Sequence, residues 1–337
     1  MALRKAAYDR RWLRQARLPC RVVSIGNLTV GGTGKTACVE LVASRLAGLG
    51  RRVAVLSRGY GGRRREYTLR FSDGRLHVEP DDRGAGPLAD EPQLLARRLA
   101  GVPVLVGRRR ERTGRIACGQ LGADTLILDD GFQHRRVARD CEIVLIHARM
   151  PLSGWEILPR GPMREPLASL RRADAIIITK ADEALATVGA LSERLRGFNR
   201  GAVLATATHE PTELVDASTG TASPASTLEG RRVGLLSSIG DPAGFESTVR
   251  RLHATVAWHA QFPDHHPYQP ADWRRVLDGA GRGRPDAIVT TEKDWVRLEP
   301  SVRAVPSTTP LLILGVRMRL LTGDDALTAR LAGLYVR

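Results

Sequence analysis

The chain has 337 residues, of which 42% are hydrophobic and 26% are charged, a composition typical of a globular protein with two domains. No apolar run approaches the ~18 residues of a membrane span, and the charged N-terminus lacks the apolar core of a signal peptide. The four cysteines have neither metal-binding nor redox spacing, which indicates reduced thiols in a cytoplasmic protein.

The formal net charge is +16, and arginines cluster at 63–65, 108–112, 135–136, 171–172 and 231–232. A surplus of this size is compatible with nucleic acid, an anionic lipid surface or a phosphorylated substrate as partner, and also with a solvated surface enriched in arginine. Aromatic residues make up 4% of the chain, and no stacking motif accompanies the clusters. We therefore expect no nucleic-acid partner.

Apolar segments and helical patterns alternate through the first part of the chain. The predicted strands are 21–26, 53–57, 103–106, 125–129, 142–147, 174–179 and 202–206. The predicted helices are 35–47, 91–100, 110–121 and 183–195. This alternation favours a parallel sheet with helices on both faces. Residues 59–87 are rich in Gly, Arg and Asp, which predicts a hairpin or a mobile loop.

The alternation resumes near residue 233 after a segment rich in Thr, Ser, Pro and Ala. Predicted strands at 233–238, 255–259, 286–291 and 310–315 and helices at 241–252 and 270–279 make a smaller α/β unit. We predict a core domain at 21–207, a linker at 208–232 and a smaller domain at 233–337. Residues 1–20 are a basic segment that we expect to contact a membrane through charge, Trp12 and Leu13.

The first predicted strand leads through a Gly-rich loop into the first predicted helix, the setting of a phosphate-binding P-loop. Glycines allow backbone N–H groups to point at phosphate oxygens, and the helix N-terminus adds partial positive charge. The lysine of such a loop reaches the outer phosphates, and the hydroxyl after it binds Mg²⁺. The strict pattern has glycine where this chain has threonine at position 29. The predicted loop residues are Thr29, Val30, Gly31, Gly32, Thr33, Gly34, Lys35 and Thr36.

The fourth predicted strand ends in two carboxylates, Asp129 and Asp130, followed by Gly131. Ligands of open α/β sheets lie at the carboxyl ends of the strands, so one of these carboxylates is placed to hold Mg²⁺ near the P-loop hydroxyl. The alternative is a strand that runs into an ordinary Asp-Gly turn.

Lysine is rare in this chain. Lys5, Lys35, Lys180 and Lys293 are four of 52 basic residues. Because a guanidinium does not fit every site that an ammonium fits, a lysine retained against this bias indicates a site that requires it. Lys180 and Lys293 each follow an apolar strand, and chance retention is the alternative for both.

Two further segments carry side chains suited to proton transfer. Asp90 stands at the start of a predicted helix, where it is either the N-cap or a general base for a substrate hydroxyl. His265 and His266 lie on a loop that is either an ordinary polar loop or the carrier of a histidine that orients a base. A zinc site is not expected, since no cysteine or further histidine has ligand spacing.

Taken together, these segments resemble the tetraacyldisaccharide 4′-kinase family of lipid A biosynthesis. The matching segments, in the order of the family, are Gly26–Thr36, Ser57–Gly61, Asp90–Pro92, Leu128–His134, Gly161–Pro166, Phe262–His265 and Thr291–Asp294. The string Asp-Asp-Gly-Phe-Gln-His beside this P-loop variant is highly specific, and the family shows the same departure from glycine at position 29.

The resemblance implies a P-loop NTPase-like α/β/α core joined by a two-stranded linker to a second, smaller α/β domain, with the active site in the cleft. It implies Mg²⁺-assisted transfer of the ATP γ-phosphoryl group to the 4′-hydroxyl of tetraacyldisaccharide 1-phosphate, which forms lipid IVA. The implied partner is an anionic glycolipid. The implied location is peripheral, on the cytoplasmic face of the bacterial inner membrane.

By the same resemblance, Asp90 is the catalytic base and His265 is its partner, while Asp129 and Asp130 serve Mg²⁺ and the phosphates. Further candidates for contact with substrate or phosphate are Arg58, Gln133, His134, Arg164 and Glu165.

Two other functions are compatible with parts of the sequence. Thr179-Lys180-Ala181-Asp182 resembles a guanine-binding Asn-Lys-x-Asp element, which would suit a regulatory P-loop GTPase of the metal-centre-assembly type. The replaced asparagine argues against guanine. A basic nucleic-acid-binding ATPase is supported by charge alone.

Overall fold

The computed structural model describes residues 7–8, 12–64, 66–80, 87–150 and 156–336. The chain forms two compact units. Unit 1 consists of Met1–His209 and Met318–Arg337, and unit 2 consists of Glu210–Arg317. The chain passes between the units twice, each time within a long strand. The predicted boundary at residue 233 is therefore misplaced, and the last twenty residues belong to unit 1 instead of the smaller domain.

Unit 1 is built on a mostly parallel sheet. Its strands are β1 (Arg21–Asn27), β2 (Val53–Ser57), β3 (Glu66–Ser72), β4 (Arg75–Glu79), β5 (Val104–Gly107), β6 (Thr125–Asp129), β7 (Cys141–His147), β8 (Ala175–Thr179) and the first part of β9 (Val203–Asp216). Their order is β9-β8-β7-β1-β6-β2-β5-β3-β4. The hairpin β3–β4 is antiparallel, which confirms the hairpin prediction for part of 59–87.

Helices cover both faces of this sheet: α1 (Lys35–Gly48), α2 (Asp90–Arg98), α3 (Arg110–Gln120), α4 (Leu185–Phe198) and α8 (Asp324–Ala332). Alternate residues of β6 show the two layers, since Ile127 packs with α1, α2 and α8 while Leu126 and Leu128 pack with α3. Burying each such side chain contributes about 1.5–3 kcal/mol. The predicted α/β/α core is confirmed.

Unit 2 is a smaller α/β unit, as predicted. Its strands are β10 (Ala222–Pro224), β11 (Arg232–Ser237), β12 (Thr255–Gln261), β13 (Ala287–Thr291) and the first part of β14 (Leu311–Thr322). Its helices are α5 (Pro242–Arg251), α6 (Pro270–Gly283) and α7 (Glu292–Ala304). Strands β12, β11, β13 and β14 are adjacent in this order and parallel. Helices α7 and α8 were not predicted, and part of the predicted linker belongs to β9.

All four cysteines are free thiols. Among the described residues, every helix is too short or too polar to span a membrane.

A substitution at Gly26 tests how tightly the strand before the P-loop is packed. A Cβ at this position would lie 2.6 Å from Phe132 Cβ and 2.7 Å from Phe132 N, and the side chain of Phe132 is fully buried. We expect Gly26→Ala to lower the free energy of unfolding by about 1–3 kcal/mol, measured by urea denaturation. Gly189→Ala, within α4 and with open space around its Cβ, is the control and should raise it by up to about 1 kcal/mol. Equal stability of wild type and Gly26→Ala would contradict the packing argument.

Candidate active site

The predicted P-loop joins β1 to α1 and has the backbone of a phosphate cradle. Gly31 and Gly34 have φ angles of +107° and +81°, which favour glycine. A Cβ at Gly31 or Gly32 would meet no atom of the described residues within 4 Å, so among these residues nothing covers the loop at this point. Thr29 has a negative φ and bridges to Met163, which explains why this position does not require glycine.

Residues 162–164 form backbone hydrogen bonds with the start of the P-loop. The N–H of Val30 donates to the Pro162 carbonyl at 2.8 Å, and the N–H of Arg164 donates to the Leu28 carbonyl at 2.6 Å. Inside the loop, the Asn27 amide donates to Thr33 Oγ1 at 2.8 Å. Residues 162–164 therefore act as a second strand against the start of the loop.

Asp130 lies between two cations at the mouth of the loop. Its carboxylate is 2.8 Å from the Arg164 guanidinium and 3.9 Å from Lys35 Nζ. Burial alone would raise the pKa of Asp130, but Lys35 and Arg164 together hold that pKa below its usual range. This anion stays ionised next to the P-loop lysine.

The neighbouring Asp129 has the opposite environment. It is buried, and Ser57 Oγ donates to its Oδ2 at 3.0 Å. Burial, followed by the charge of Glu91, raises the pKa of Asp129 to about 6. Two adjacent carboxylates thus differ in how readily they give up a proton, because one faces cations and the other is enclosed.

These carboxylates fit a hard divalent cation. Asp129 ends β6 and Asp130 follows it. Strand β6 pairs in parallel with β1, and Thr36 lies in the first turn of the helix that follows β1. All three offer oxygen atoms, the ligand that Mg²⁺ prefers. A cation here would also stabilise the ionised form of Asp129.

A buried arginine was missed by the sequence analysis. Arg110 is 3% exposed, and its guanidinium donates to the Asp130 carbonyl at 3.2 Å. Ser57, the hydrogen-bond donor to Asp129, belongs to a segment that matches the family, but the sequence predicted no role for it. The signal for Arg110 was hidden, because it stands in a run of arginines of which most are exposed.

The remaining candidates separate into two groups. Gln133 Nε2 donates to the Asn27 carbonyl at 3.0 Å, which places Gln133 at the loop, and Arg58 is exposed just after β2. Glu165 is buried and accepts from Arg172 at 3.1 Å. The His134 carbonyl accepts from Arg139 at 2.7 Å. The Glu165 carboxylate is thus paired with Arg172, and the backbone of His134 is fixed by Arg139.

Asp90 is the first residue of α2, but it is not the helix cap. The cap position belongs to Ala89, whose N–H donates to Tyr67 Oη at 3.0 Å. The capping interpretation of Asp90 is therefore wrong. The first turn still gains from the negative charge of Asp90 and Glu91 through the helix dipole.

The two adjacent histidines of unit 2 have different surroundings. His266 Nε2 bonds Asp272 Oδ2 at 2.9 Å, and its ring stacks on Phe262 at 4.8 Å between centroids, so it holds the loop together. His265 has a φ of +61°, and its Nε2 lies 3.4 Å from Lys293 Nζ. Asp90 belongs to unit 1 and His265 to unit 2, so their pairing stays a prediction.

The comparisons with known proteins agree with one another. The family model "Tetraacyldisaccharide-1-P 4'-kinase" matches residues 1–335. The chain belongs to this family. A tetraacyldisaccharide 4′-kinase of Anaeromyxobacter dehalogenans strain 2CP-C is 46% identical over 98% of this chain and 86% of the relative. That of Syntrophus aciditrophicus strain SB is 41% identical over 95% of this chain and 85% of the relative.

A solved structure of the same family matches the fold. The crystal structure of the "apo" form of LpxK from Aquifex aeolicus in complex with ATP has a TM-score of 0.76 and 29% identity. The match covers 99% of this chain and 95% of the other. The predicted family and fold class are confirmed. The roles of individual side chains stay predictions.

A pH-dependent prediction comes from His209, a histidine that the sequence analysis did not single out. The ring of His209 packs against Gly34, at the start of α1, and burial followed by the charge of Lys180 lowers the pKa of His209 to about 4. The unfolded chain binds a proton here near pH 6.5, so the free energy of unfolding should fall as the pH drops from 6.5 to 4, by up to about 3 kcal/mol.

The measurement is urea denaturation of wild type and His209→Gln between pH 7 and pH 4. The variant should lose less stability over this interval because glutamine does not titrate. His77→Gln, at an exposed position of β4, is the control and should keep the wild-type pH dependence. An identical pH dependence of His209→Gln and wild type would contradict the assignment.

Proposed function

We propose that this chain transfers the γ-phosphoryl group of ATP to the 4′-hydroxyl of tetraacyldisaccharide 1-phosphate, forming lipid IVA. Membership of the kinase family supports the reaction. The observation that carries the proposal for the site is the cluster of Lys35, Asp130 and Arg164 at the mouth of the P-loop. A transferring phosphoryl group needs positioning and charge stabilisation more than covalent chemistry, and this cluster offers both.

In this proposal the P-loop binds ATP through its backbone N–H groups, and Lys35 contacts the outer phosphates. Thr36, Asp129 and Asp130 would hold Mg²⁺, which would supply positive charge for the phosphates. Arg110, which is buried and donates to the Asp130 carbonyl, adds positive charge to this site. Gln133 and Arg164 keep the loop in shape.

Asp90 accepts the proton of the sugar hydroxyl, and His265 orients Asp90. Support for the base comes from its place on the helix. Ala89 occupies the cap position, and Asp90 is the first residue of α2, so its carboxylate is carried by the first turn of a helix. Of the two adjacent histidines, we assign this role to His265, because His266 bonds Asp272.

The partner is an anionic glycolipid at the cytoplasmic face of the inner membrane, where the chain binds peripherally. Its net charge of +16 suits an anionic surface, at about 1 kcal/mol per basic residue near the lipid. Trp12 and Leu13 are 71% and 41% exposed, respectively, as expected for side chains that enter a membrane interface. Residues 1–6 and 9–11 of the predicted basic segment lie outside the described residues.

One observation disfavours the GTPase alternative. Thr179, which stands where a guanine-binding element has asparagine, is fully buried, and its hydroxyl donates to the Ile146 carbonyl at 3.4 Å. Its hydroxyl is therefore used inside the sheet. Lys180 is 3.8 Å from Glu183, within its own segment.

A label-transfer assay tests the reaction and the base together. Wild type with Mg²⁺, γ-labelled ATP and tetraacyldisaccharide 1-phosphate in detergent micelles should label the lipid. Asp90→Asn should lower kcat by roughly 10²- to 10⁴-fold with little change in the KM for ATP, because a general base is lost and nucleotide binding is not. Asp241→Asn, at a genuine helix cap in unit 2, is the matched control. Full activity of Asp90→Asn would remove the base assignment.

Nucleotide preference tests the reaction class. With the same acceptor, ATP should be favoured over GTP by at least roughly tenfold in kcat/KM, since the Thr179 hydroxyl is buried and directed at the Ile146 carbonyl. A preference for GTP, or hydrolysis that DNA or RNA stimulates at low salt, would favour the competing functions.

A further inference from the structure

Lys293, one of four lysines in the chain, lies against His265 in unit 2. Its Nζ is 3.4 Å from His265 Nε2 and 3.7 Å from Asp264 Oδ1. The same carboxylate oxygen is 4.0 Å from Nε2. One ammonium is thus shared between a carboxylate and a ring nitrogen, an arrangement that a group with several donors and no acceptor can satisfy.

The residues on either side of Lys293 fix the backbone from which it extends. Glu292 accepts from the Arg317 guanidinium at 3.0 Å and from the N–H of Val316 at 3.2 Å. Asp294 is fully buried and accepts from Arg297 at 2.7 Å. Lys293 therefore projects from a helix turn whose neighbours are both held in place.

The loop that carries His265 is fixed by the same network. The N–H of Phe262 donates to the Ser237 carbonyl at 2.8 Å, and the N–H of His265 donates to the Ser238 carbonyl at 3.3 Å. The N–H of Ser238 in turn donates to Asp294 Oδ1 at 3.0 Å. Ser238 therefore links the histidine loop to the first turn of α7, and the distance from Lys293 to the ring is set from both sides.

We propose that Lys293 is a positioning residue that holds His265 in the tautomer with its hydrogen on Nδ1. An ammonium donates hydrogen bonds and accepts none, whereas a neutral imidazole has one donor nitrogen and one acceptor nitrogen. Nε2 faces the ammonium and must accept, so the ring hydrogen is on Nδ1. The carboxylate of Asp264 holds the ammonium at this place.

The tautomer decides what His265 can do in the reaction, a consequence that rests on the proposed function. With its hydrogen on Nδ1, the ring offers a donor to a carboxylate. Its Nε2 lone pair is occupied by Lys293 and is not available to take the proton of the sugar hydroxyl. His265 thereby orients the base and does not compete with it.

Nitrogen NMR of the full-length chain labelled with ¹⁵N-histidine tests the tautomer directly. Long-range ¹H–¹⁵N spectra at a pH where the ring is neutral distinguish hydrogen on Nδ1 from hydrogen on Nε2, and His265→Gln identifies the signals among the eight histidines. Wild type should show the Nδ1–H pattern. Lys293→Met should lose it, Lys293→Arg should keep it because a guanidinium also only donates, and Arg303→Met, which removes an exposed charge from the same helix, should not change it.

Label transfer by the same variants separates this inference from the proposed function. Lys293→Met should lower kcat on the order of tenfold, less than loss of an acid–base group itself, with Lys293→Arg restoring much of the rate. An Nε2–H pattern in wild type, or a pattern unchanged in Lys293→Met, overturns the proposal. An Nδ1–H pattern lost in Lys293→Met without a change in kcat supports the tautomer and shows instead that His265 has no part in transfer.

Discussion

The ion pairs around Asp130 are the constraint on which the rest of the candidate site depends. A P-loop gathers a lysine, a helix N-terminus and oriented N–H groups in one place, and this chain adds Arg164 and Arg110. Without an anion, these positive groups would repel one another. Asp130 compensates them, which allows the phosphate cradle to be complete before a nucleotide arrives.

The same cluster joins three segments that are distant in the sequence. Lys35 follows β1, Asp130 follows β6 and Arg164 belongs to the segment that pairs with the P-loop. All three lie at the carboxyl edge of the parallel sheet, and this position alone brings them close together. The ion pairs of Asp130 then help to set the side-chain positions, while backbone bonds from residues 162–164 set the shape of the loop.

Much of the fold could be predicted because its signals are local. The buried strands are continuous apolar runs, and Gly31 and Gly34 occupy backbone conformations that glycine favours. Helix α8 escaped prediction, since a nine-residue element with Leu327 and Leu331 as its buried residues carries almost no periodicity. Of the candidate site, the sequence predicted only the residues that belong to a recognisable motif, such as the P-loop and the Asp129–Asp130 pair. The capping interpretation of Asp90 failed because the helix begins one residue earlier than the pattern predicted, which makes Ala89 the cap. The burial of Arg110 could not be predicted, because it depends on tertiary packing and not on the run of arginines in which it stands.

The discontinuity of unit 1 has a consequence for how the protein is made. Leu327, Leu331 and Leu334 belong to the same apolar cluster as Val39 and Leu46 of the helix behind the P-loop. During synthesis, these leucines emerge from the ribosome after every residue of unit 2. The nascent chain therefore carries an unfinished nucleotide-binding core, with exposed apolar surface, until its final helix is made, and this interval is when chaperones would be needed most.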